Sequence, residues 1–359
     1  MEKRIKLLGR TPEELTAIAL SEGLPAFAGK QMASWLYQKK VRTLDEMTNL
    51  SKEGRARLSQ RYEVGVAPVL ACQVSRDGTR KYLFPADCSH RPELHAADTD
   101  PNLEHSAIEA VMIPDGERKT LCISSQAGCK MGCRFCMTGR QGFHGHLSAG
   151  DIISQVIAVA ESDELTNVVF MGMGEPLDNY ENVRRALEIL TAPWGFGWSP
   201  KRITLSTIGV LPNLHRFLEE SRCHLAVSLH DPFAEERAGL MPVQKAWPAS
   251  EVVRLIRQYD FTGQRRVSFE YTMFDGLNDS PRHADAIVRL LRGLECRVNL
   301  IRFHKIPDFE YDTASDHRME SFRSQLEKAG LTATIRASRG QDIDAACGML
   351  AGQNRQNQS

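Results

Sequence analysis

Cys129, Cys133 and Cys136 stand in the stretch AGCKMGCRFCMTG, residues 127–139, in a C-x3-C-x2-C spacing. Closed structural zinc sites and ordinary iron–sulfur clusters take four protein ligands. Three ligands leave one coordination position open, and an open position lets a metal centre bind a reactant. Two other readings compete: a zinc knuckle completed by a distant residue such as Cys122 or His144, and three incidental buried thiols. Three cysteines within eight residues argue against accident.

Several further residues of chemical interest follow apolar runs. Gly172–Pro176 (GMGEP) follows NVVF, Ser206 and Thr207 end RITLST, Ser228, Leu229 and His230 end HLAVSLH, and His304 follows RVNLIRF. Together with TLCISS, VSFEYTMF and ATIRAS these runs alternate mostly with stretches of helical patterning, which predicts a series of six or more βα units and a parallel sheet covered by helices. The fold class is therefore α/β, a complete or partial (β/α) barrel, with a doubly wound open sheet as the runner-up. Both architectures place chemistry at the carboxyl ends of the strands, so the scattered motifs would face one mouth.

Ahead of this region, residues 66–118 carry short β-like runs (PVLACQV, KYLFP, EAVMI), broken by DGT and by a polar segment from His95 to His105; they predict a β-rich connecting layer. Residues 1–65 read as a small helical module. Thr11-Pro12-Glu13-Glu14 and Thr43 to Glu46 each place a capping hydroxyl three residues before a carboxylate, and Met32, Trp35 and Leu36 recur at helical spacing, with Trp35 expected in the core. The expected division is 1–65, 66–118, 119–352 and a polar tail 353–359.

The chain has 359 residues, with 45 Lys and Arg against 45 Asp and Glu, so it does not rely on a large uniform positive field. Residues 1–65 nevertheless hold 12 basic against 8 acidic residues, a net of +4, which leaves 33 against 37 elsewhere. No apolar run approaches the ~18 residues of a membrane span, and no secretory leader is evident. Nine cysteines, an odd number, point to a reducing compartment, the cytoplasm.

The cysteine spacing, with Phe135 before the last cysteine, and the GMGEP string downstream resemble the radical S-adenosylmethionine (SAM) superfamily. Adding TLCISSQAGC, Leu205-Ser206-Thr207, Val227-Ser228-Leu229-His230 and RGQDIDAACG (339–348), the region from about residue 105 to 352 is similar to the RlmN and Cfr family of rRNA adenosine methyltransferases. The resemblance implies a partial barrel of the radical SAM type with a small N-terminal helical, RNA-binding domain. It implies one [4Fe–4S] cluster on Cys129, Cys133 and Cys136, and SAM held by Gly174, Glu175, Ser206, Ser228, Leu229 and His230. His304 occupies a place where relatives carry asparagine, and this departure leaves its part in SAM binding open.

The activity implied is methylation of an adenine ring carbon in 23S rRNA and tRNA, supported by a flavodoxin-type electron donor and with no membrane partner. Cys347 would carry the methyl group, and Cys122 would resolve the RNA adduct through a transient disulfide. Glu109 matches a family carboxylate near the base, and either it or Cys122 would remove the ring proton. Taken alone, Cys347 and Cys122 would read as inert apolar thiols; Cys72, Cys88, Cys223 and Cys296 are read as structural. Pro176 resembles the C2-directed RlmN branch, whereas the C8-directed Cfr branch has alanine there. A non-catalytic, metal-stabilised RNA-binding protein is the alternative from another class.

Overall fold

A computed structural model describes residues 4–86, 107–261, 263 and 265–351. The polar segment from His95 to His105, Cys88 and the tail 353–359 lie outside the described residues. The N-terminal module consists of β1 (Ile5–Lys6), α1 (Pro12–Ser21), α2 (Phe27–Ala33), α3 (Lys52–Arg61) and β2 (Tyr62–Glu63), with β1 and β2 paired in parallel. Thr11 and Glu14 form the reciprocal cap: the Thr11 amide donates to the carboxylate at 2.8 Å and the Glu14 amide to the hydroxyl at 3.3 Å. Thr43 and Glu46 do the same, but for a single 3-10 turn at Leu44–Glu46. Met32 and Leu36 are fully buried. Trp35 is only half-buried, contrary to expectation. Its indole N–H donates to Asn49 and the Lys39 ammonium lies 3.5 Å from the ring centroid, so the ring closes the rim of the module's core.

A ten-stranded sheet follows. Its strands and helices run β3 (Ala71–Val74), β4 (Arg80–Pro85), β5 (Ala107–Asp115), β6 (Arg118–Cys122), then a hairpin of β7 (Gln126–Gly128) and β8 (Phe143–His146) enclosing α4 (Met137–Arg140). Next come α5 (Ala149–Ala158), β9 (Asn167–Phe170), α6 (Tyr180–Thr191), β10 (Ile203–Thr207), α7 (Leu211–Glu220), β11 (His224–Ser228), α8 (Ala234–Leu240), α9 (Ala249–Ile256), β12 (Val267–Met273), α10 (Pro281–Leu291), β13 (Arg297–Arg302), α11 (Asp316–Lys328) and β14 (Thr332–Ile335). The spatial order is β14-β13-β12-β11-β10-β9-β6-β5-β4-β3, parallel from β14 to β6 and antiparallel from β6 to β3. The sheet is open between β14 and β3, so this is the partial barrel. The β-rich segment extends the same sheet, because Val111 of β5 is paired with Cys122 of β6. Cys72, on the terminal strand β3, is exposed, Cys223 is buried and Cys296 half-buried.

Central strands such as β12 are buried on both faces, which explains their continuous apolar sequence. Helix α5 is buried along its whole length because the N-terminal module covers its outer side. The contact is backbone against backbone: a Cβ on Gly9 would lie 2.4 Å from the Gly150 nitrogen, and one on Gly150 would lie 2.4 Å from the Leu8 carbonyl oxygen. Lys6 adds an ion pair to Asp151 at 2.9 Å. The helical module is thus fixed to α5, the first helix after the β7–β8 hairpin.

Candidate active site

The β7–β8 hairpin carries the cysteine loop. The Cys129 amide donates to the Gly142 carbonyl at 2.7 Å, and the Cys136 amide to the Cys133 carbonyl at 3.2 Å, so the loop folds back on itself before α4 begins. All three cysteines are half-buried. Burial pushes the Cys129 thiol up to about 12 and the Cys133 thiol well above its ordinary value, and charge on the neighbouring cysteines adds to both shifts. Thiols in such a pocket become thiolates only opposite a positive charge. That is the chemistry of a soft metal centre.

Strand β9 ends beside this loop. Gly174 has φ +97°, and a Cβ there would meet the Gln126 Cβ at 2.5 Å, so only glycine lets the chain pass β7. Glu175 is 3% exposed, and burial pushes its carboxyl up to about 7. The carboxyl accepts from the Thr207 hydroxyl at 2.5 Å and from the Ile208 and Leu177 amides, each at 3.0 Å. Glu175 therefore joins the end of β9 to the end of β10, which also carries half-buried Ser206.

At the end of β11, Ser228 is half-buried and the Leu229 and His230 amides donate to the Glu270 carbonyl of β12. His230 has φ +54°, an uncommon conformation for a residue with a side chain. Its Nδ1 accepts the Thr272 amide at 3.0 Å, which puts the ring proton on Nε2. Burial first, and then Arg237, lower its pKa to about 3, so the ring is neutral. It meets Phe135 edge-on at 4.9 Å, and Phe135 continues through Phe274 to Phe303, neighbour of His304. His304 is half-buried at the end of β13, its pKa lowered by burial and then by Arg302.

After β14 the chain crosses the mouth as a strap, 336–351. The Met137 amide donates to the Gly348 carbonyl at 2.8 Å, and the Thr138 hydroxyl to the Leu350 carbonyl at 2.7 Å, tying the strap to α4. The hairpin between β3 and β4 holds its other edge: Ser75 donates to Asp342 at 2.5 Å and the Gly340 amide to Asp77 at 2.9 Å. Cys347 is exposed on the strap, and the residues packed around it push its thiol up. Cys122, at the end of β6, is buried and likewise pushed up by burial; charge on Cys347 acts on it in the same direction, while the Arg336 guanidinium opposes both shifts. The two thiols share one neighbourhood. Glu109 of β5, 2% exposed, accepts the Ala351 amide at 2.7 Å and pairs with Lys81 at 3.1 Å.

Residues 123–287 match the profile of the Radical SAM superfamily, and residues 5–64 that of the ribosomal RNA large subunit methyltransferase N-terminal domain. A protein of Porphyromonas gingivalis named "Probable dual-specificity RNA methyltransferase RlmN" is 56% identical over 350 residues, covering 98% of this chain and 95% of its own. The dual-specificity RNA methyltransferase RlmN of Syntrophus aciditrophicus is 39% identical over 353 residues, 97% of each chain. The chain belongs to the RlmN family of radical SAM methyltransferases. The crystal structure of a radical SAM methyltransferase from Sphaerobacter thermophilus superposes with a TM-score of 0.88 at 36% identity, covering 97% of this chain and 100% of that one.

Membership of the radical SAM superfamily implies a 4Fe–4S cluster and the use of SAM. The donor set fits: three soft sulfur donors stand in one loop, and burial keeps the Cys129 and Cys133 thiols protonated unless a cationic centre faces them, while Cys122 lies with Cys347 instead of completing a four-ligand site. Among the described residues Asp231, Glu236 and His283 converge closely enough to hold a metal ion; Glu236 and His283 are already hydrogen-bonded, while Asp231 Oδ2 is buried without a hydrogen-bond partner, 4.0 Å from His283 Nε2. His283 uses Nδ1 on Ser280 at 2.7 Å and Nε2 on Glu236 at 2.8 Å, and Glu236 also binds Arg282 at 2.9 Å.

Sequence reasoning missed Gln126, Lys81, Arg237 and Arg336. Gln126 accepts the Glu175 amide at 2.8 Å and donates to Asp178 at 2.7 Å. Arg237 left a usable trace, since it falls between Phe233 and Leu240 at i, i+4, i+7, a charge on the apolar face of α8.

Proposed function

We propose that this enzyme methylates C2 of a specific adenosine in 23S rRNA and of the adenosine 3′ of the anticodon in tRNAs. The observation that supports the reading is that the strap bearing Cys347 is tied through Gly348 to α4 beside the cysteine loop and through Ala351 to Glu109 on β5, the strand paired with Cys122 of β6, because methylating an unactivated ring carbon through a protein-bound methyl group needs one thiol to carry and another to release. Cys129, Cys133 and Cys136 would hold one [4Fe–4S] cluster. Gly174, Ser206, Ser228, Leu229, His230 and His304 would line SAM, with Glu175 fixing the ends of β9 and β10 about it. When bound, cluster and SAM supply the hydrogen-abstracting power for the difficult step.

The protein's own residues do the rest. Cys347, as thiolate, would take the methyl group of SAM by displacement, with S-adenosylhomocysteine as the leaving group; the strap would hold the S-methyl group toward the base, and the methyl carbon, after losing one hydrogen atom, would bond to the adenine. Glu109, an ion-paired carboxylate bound to the same strap, is the better acceptor for the ring proton, since burial keeps the Cys122 thiol protonated. With one electron given up by the adduct along with that proton, Cys122, once deprotonated, which the Arg336 charge favours, would attack the Cys347 sulfur; the sulfur–methylene bond breaks as the disulfide forms, and the methylene carbon takes up a proton to become the methyl group of the freed base. Each turnover then needs reduction, which suits a cytoplasmic enzyme served by a flavodoxin-type donor. The eight described cysteines are all free thiols, and among the described residues no helix is long and apolar enough to cross a membrane.

Nucleoside mass spectrometry of RNA after reaction tests the proposal: 2-methyladenosine is expected. Pro176 favours this C2 branch; 8-methyladenosine would move the enzyme to the Cfr branch.

A further inference from the structure

Arg237 is 1% exposed and heads the largest fully buried side chains among the described residues. Its guanidinium makes four hydrogen bonds, all to neutral acceptors: the Leu229 carbonyl at 2.9 Å, the Ser228 carbonyl at 2.9 Å, the Ile208 carbonyl at 3.4 Å and the Gln244 side-chain oxygen at 2.6 Å. Three of these lie just where β10 and β11 release the residues proposed to line SAM. The helix bearing Arg237 also touches the cysteine loop, because the Arg134 amide donates to the Leu240 carbonyl at 3.0 Å. A buried charge without a hydrogen-bonded carboxylate is costly unless an anion lies near. Of the ionisable groups that act on it, the Cys133 thiol comes first, ahead of Asp231.

We propose that Arg237 is a positioning residue for the methyl donor, locking the carboxyl ends of β10 and β11 in register while setting a fixed positive charge beside the cysteine loop that raises the reduction potential of the cluster held there. This rests on the radical SAM reading of that loop. The two duties separate chemically. The planar fork of arginine reaches carbonyls on two strands at once, which the point charge of lysine does not. The charge acts through space, favouring the reduced and more negative cluster regardless of hydrogen-bond geometry.

The test uses reconstituted full-length wild type, Arg237→Lys and Gln244→Glu. Iron and sulfide content, equilibrium SAM binding to the oxidised holoenzyme and the cluster midpoint potential by spectroscopic redox titration are measured on each. Arg237→Lys keeps the charge and loses the fork: SAM binding weakens on the order of tenfold, and the potential stays near wild type. Gln244→Glu keeps the fork and neutralises the charge: SAM binding is retained, and the potential moves to more negative values. Wild-type affinity in Arg237→Lys, or an unmoved potential in Gln244→Glu, overturns the assignment. A wild type that takes up no iron and sulfide overturns instead the radical SAM reading beneath it.

Discussion

Removing Lys81 tests whether the buried Lys81–Glu109 pair fixes the strap that carries Cys347. The side chains are 11% and 2% exposed and meet at 3.1 Å, and the second carboxylate oxygen of Glu109 accepts the Ala351 amide at 2.7 Å. Lys81→Met leaves Glu109 facing an apolar side chain, and breaking a buried pair in this way costs about 3–5 kcal/mol. Glu109→Gln keeps an oxygen for the Ala351 amide and loses less. The double variant removes both charges together and recovers most of the loss. Urea unfolding of the cluster-free protein, followed by tryptophan fluorescence, should give a coupling energy of roughly 3 kcal/mol in the double-mutant cycle. Additivity to within about 0.5 kcal/mol would show that the pair contributes nothing beyond its separate members, and the strap would need another anchor.

Three further outcomes follow from the geometry. Glu175, pushed up to about 7 in the fold against about 4.3 in an unfolded chain, binds more protons folded than unfolded, so stability falls as pH rises from about 4.3 to 7 and levels off above. Glu175→Gln should remove that fall and gain roughly 3 kcal/mol over wild type between pH 5 and pH 8 in the cluster-free protein; parallel pH profiles would contradict it. Alanine at Cys129, Cys133 or Cys136 should abolish 5′-deoxyadenosine formation from SAM, and full yield from any variant would refute the ligand assignment. If the N-terminal module grips RNA, changing exposed Lys30, Lys39 and Lys52 to glutamine should reduce the salt slope of binding by about 0.7–0.9 for each phosphate no longer neutralised; an unchanged slope assigns the module another role. Deleting the module is a poorer test, because it would bare the fully buried helix α5.

Strand runs and helix caps are local signals, so the parallel strands and the Thr11–Glu14 box could be read from the sequence. The cysteine loop was legible for the same reason: its three candidate ligands lie within one turn of chain. What the sequence concealed depends on contacts between distant segments. Lys81 resembles any charged residue on a β-strand until β5 brings Glu109 beside it, 28 positions along. Arg237 shows in the sequence only as a charge on the apolar face of AEERAGL, and the carbonyls of Ile208, Ser228 and Leu229 that it binds come from distant segments. Trp35 misled because helical spacing marks a face without showing how far the core extends under it. Glu175 is legible as an acid in a glycine-rich strand end, but its burial and its bonds to Thr207 and Ile208 exist only once β9 and β10 lie side by side.

The central claim is that Cys347 carries the methyl carbon and Cys122 releases the product. Cys122→Ala, expressed with its RNA, should load Cys347 and form the adduct yet fail to resolve it. Denaturing electrophoresis before and after ribonuclease should then show protein bearing covalently attached RNA, and mass spectrometry should place a methylene bridge on Cys347; Cys347→Ala should show neither. A Cys122→Ala enzyme that turns over normally and carries no RNA would contradict the account and return Cys122 to the role of a packed strand residue.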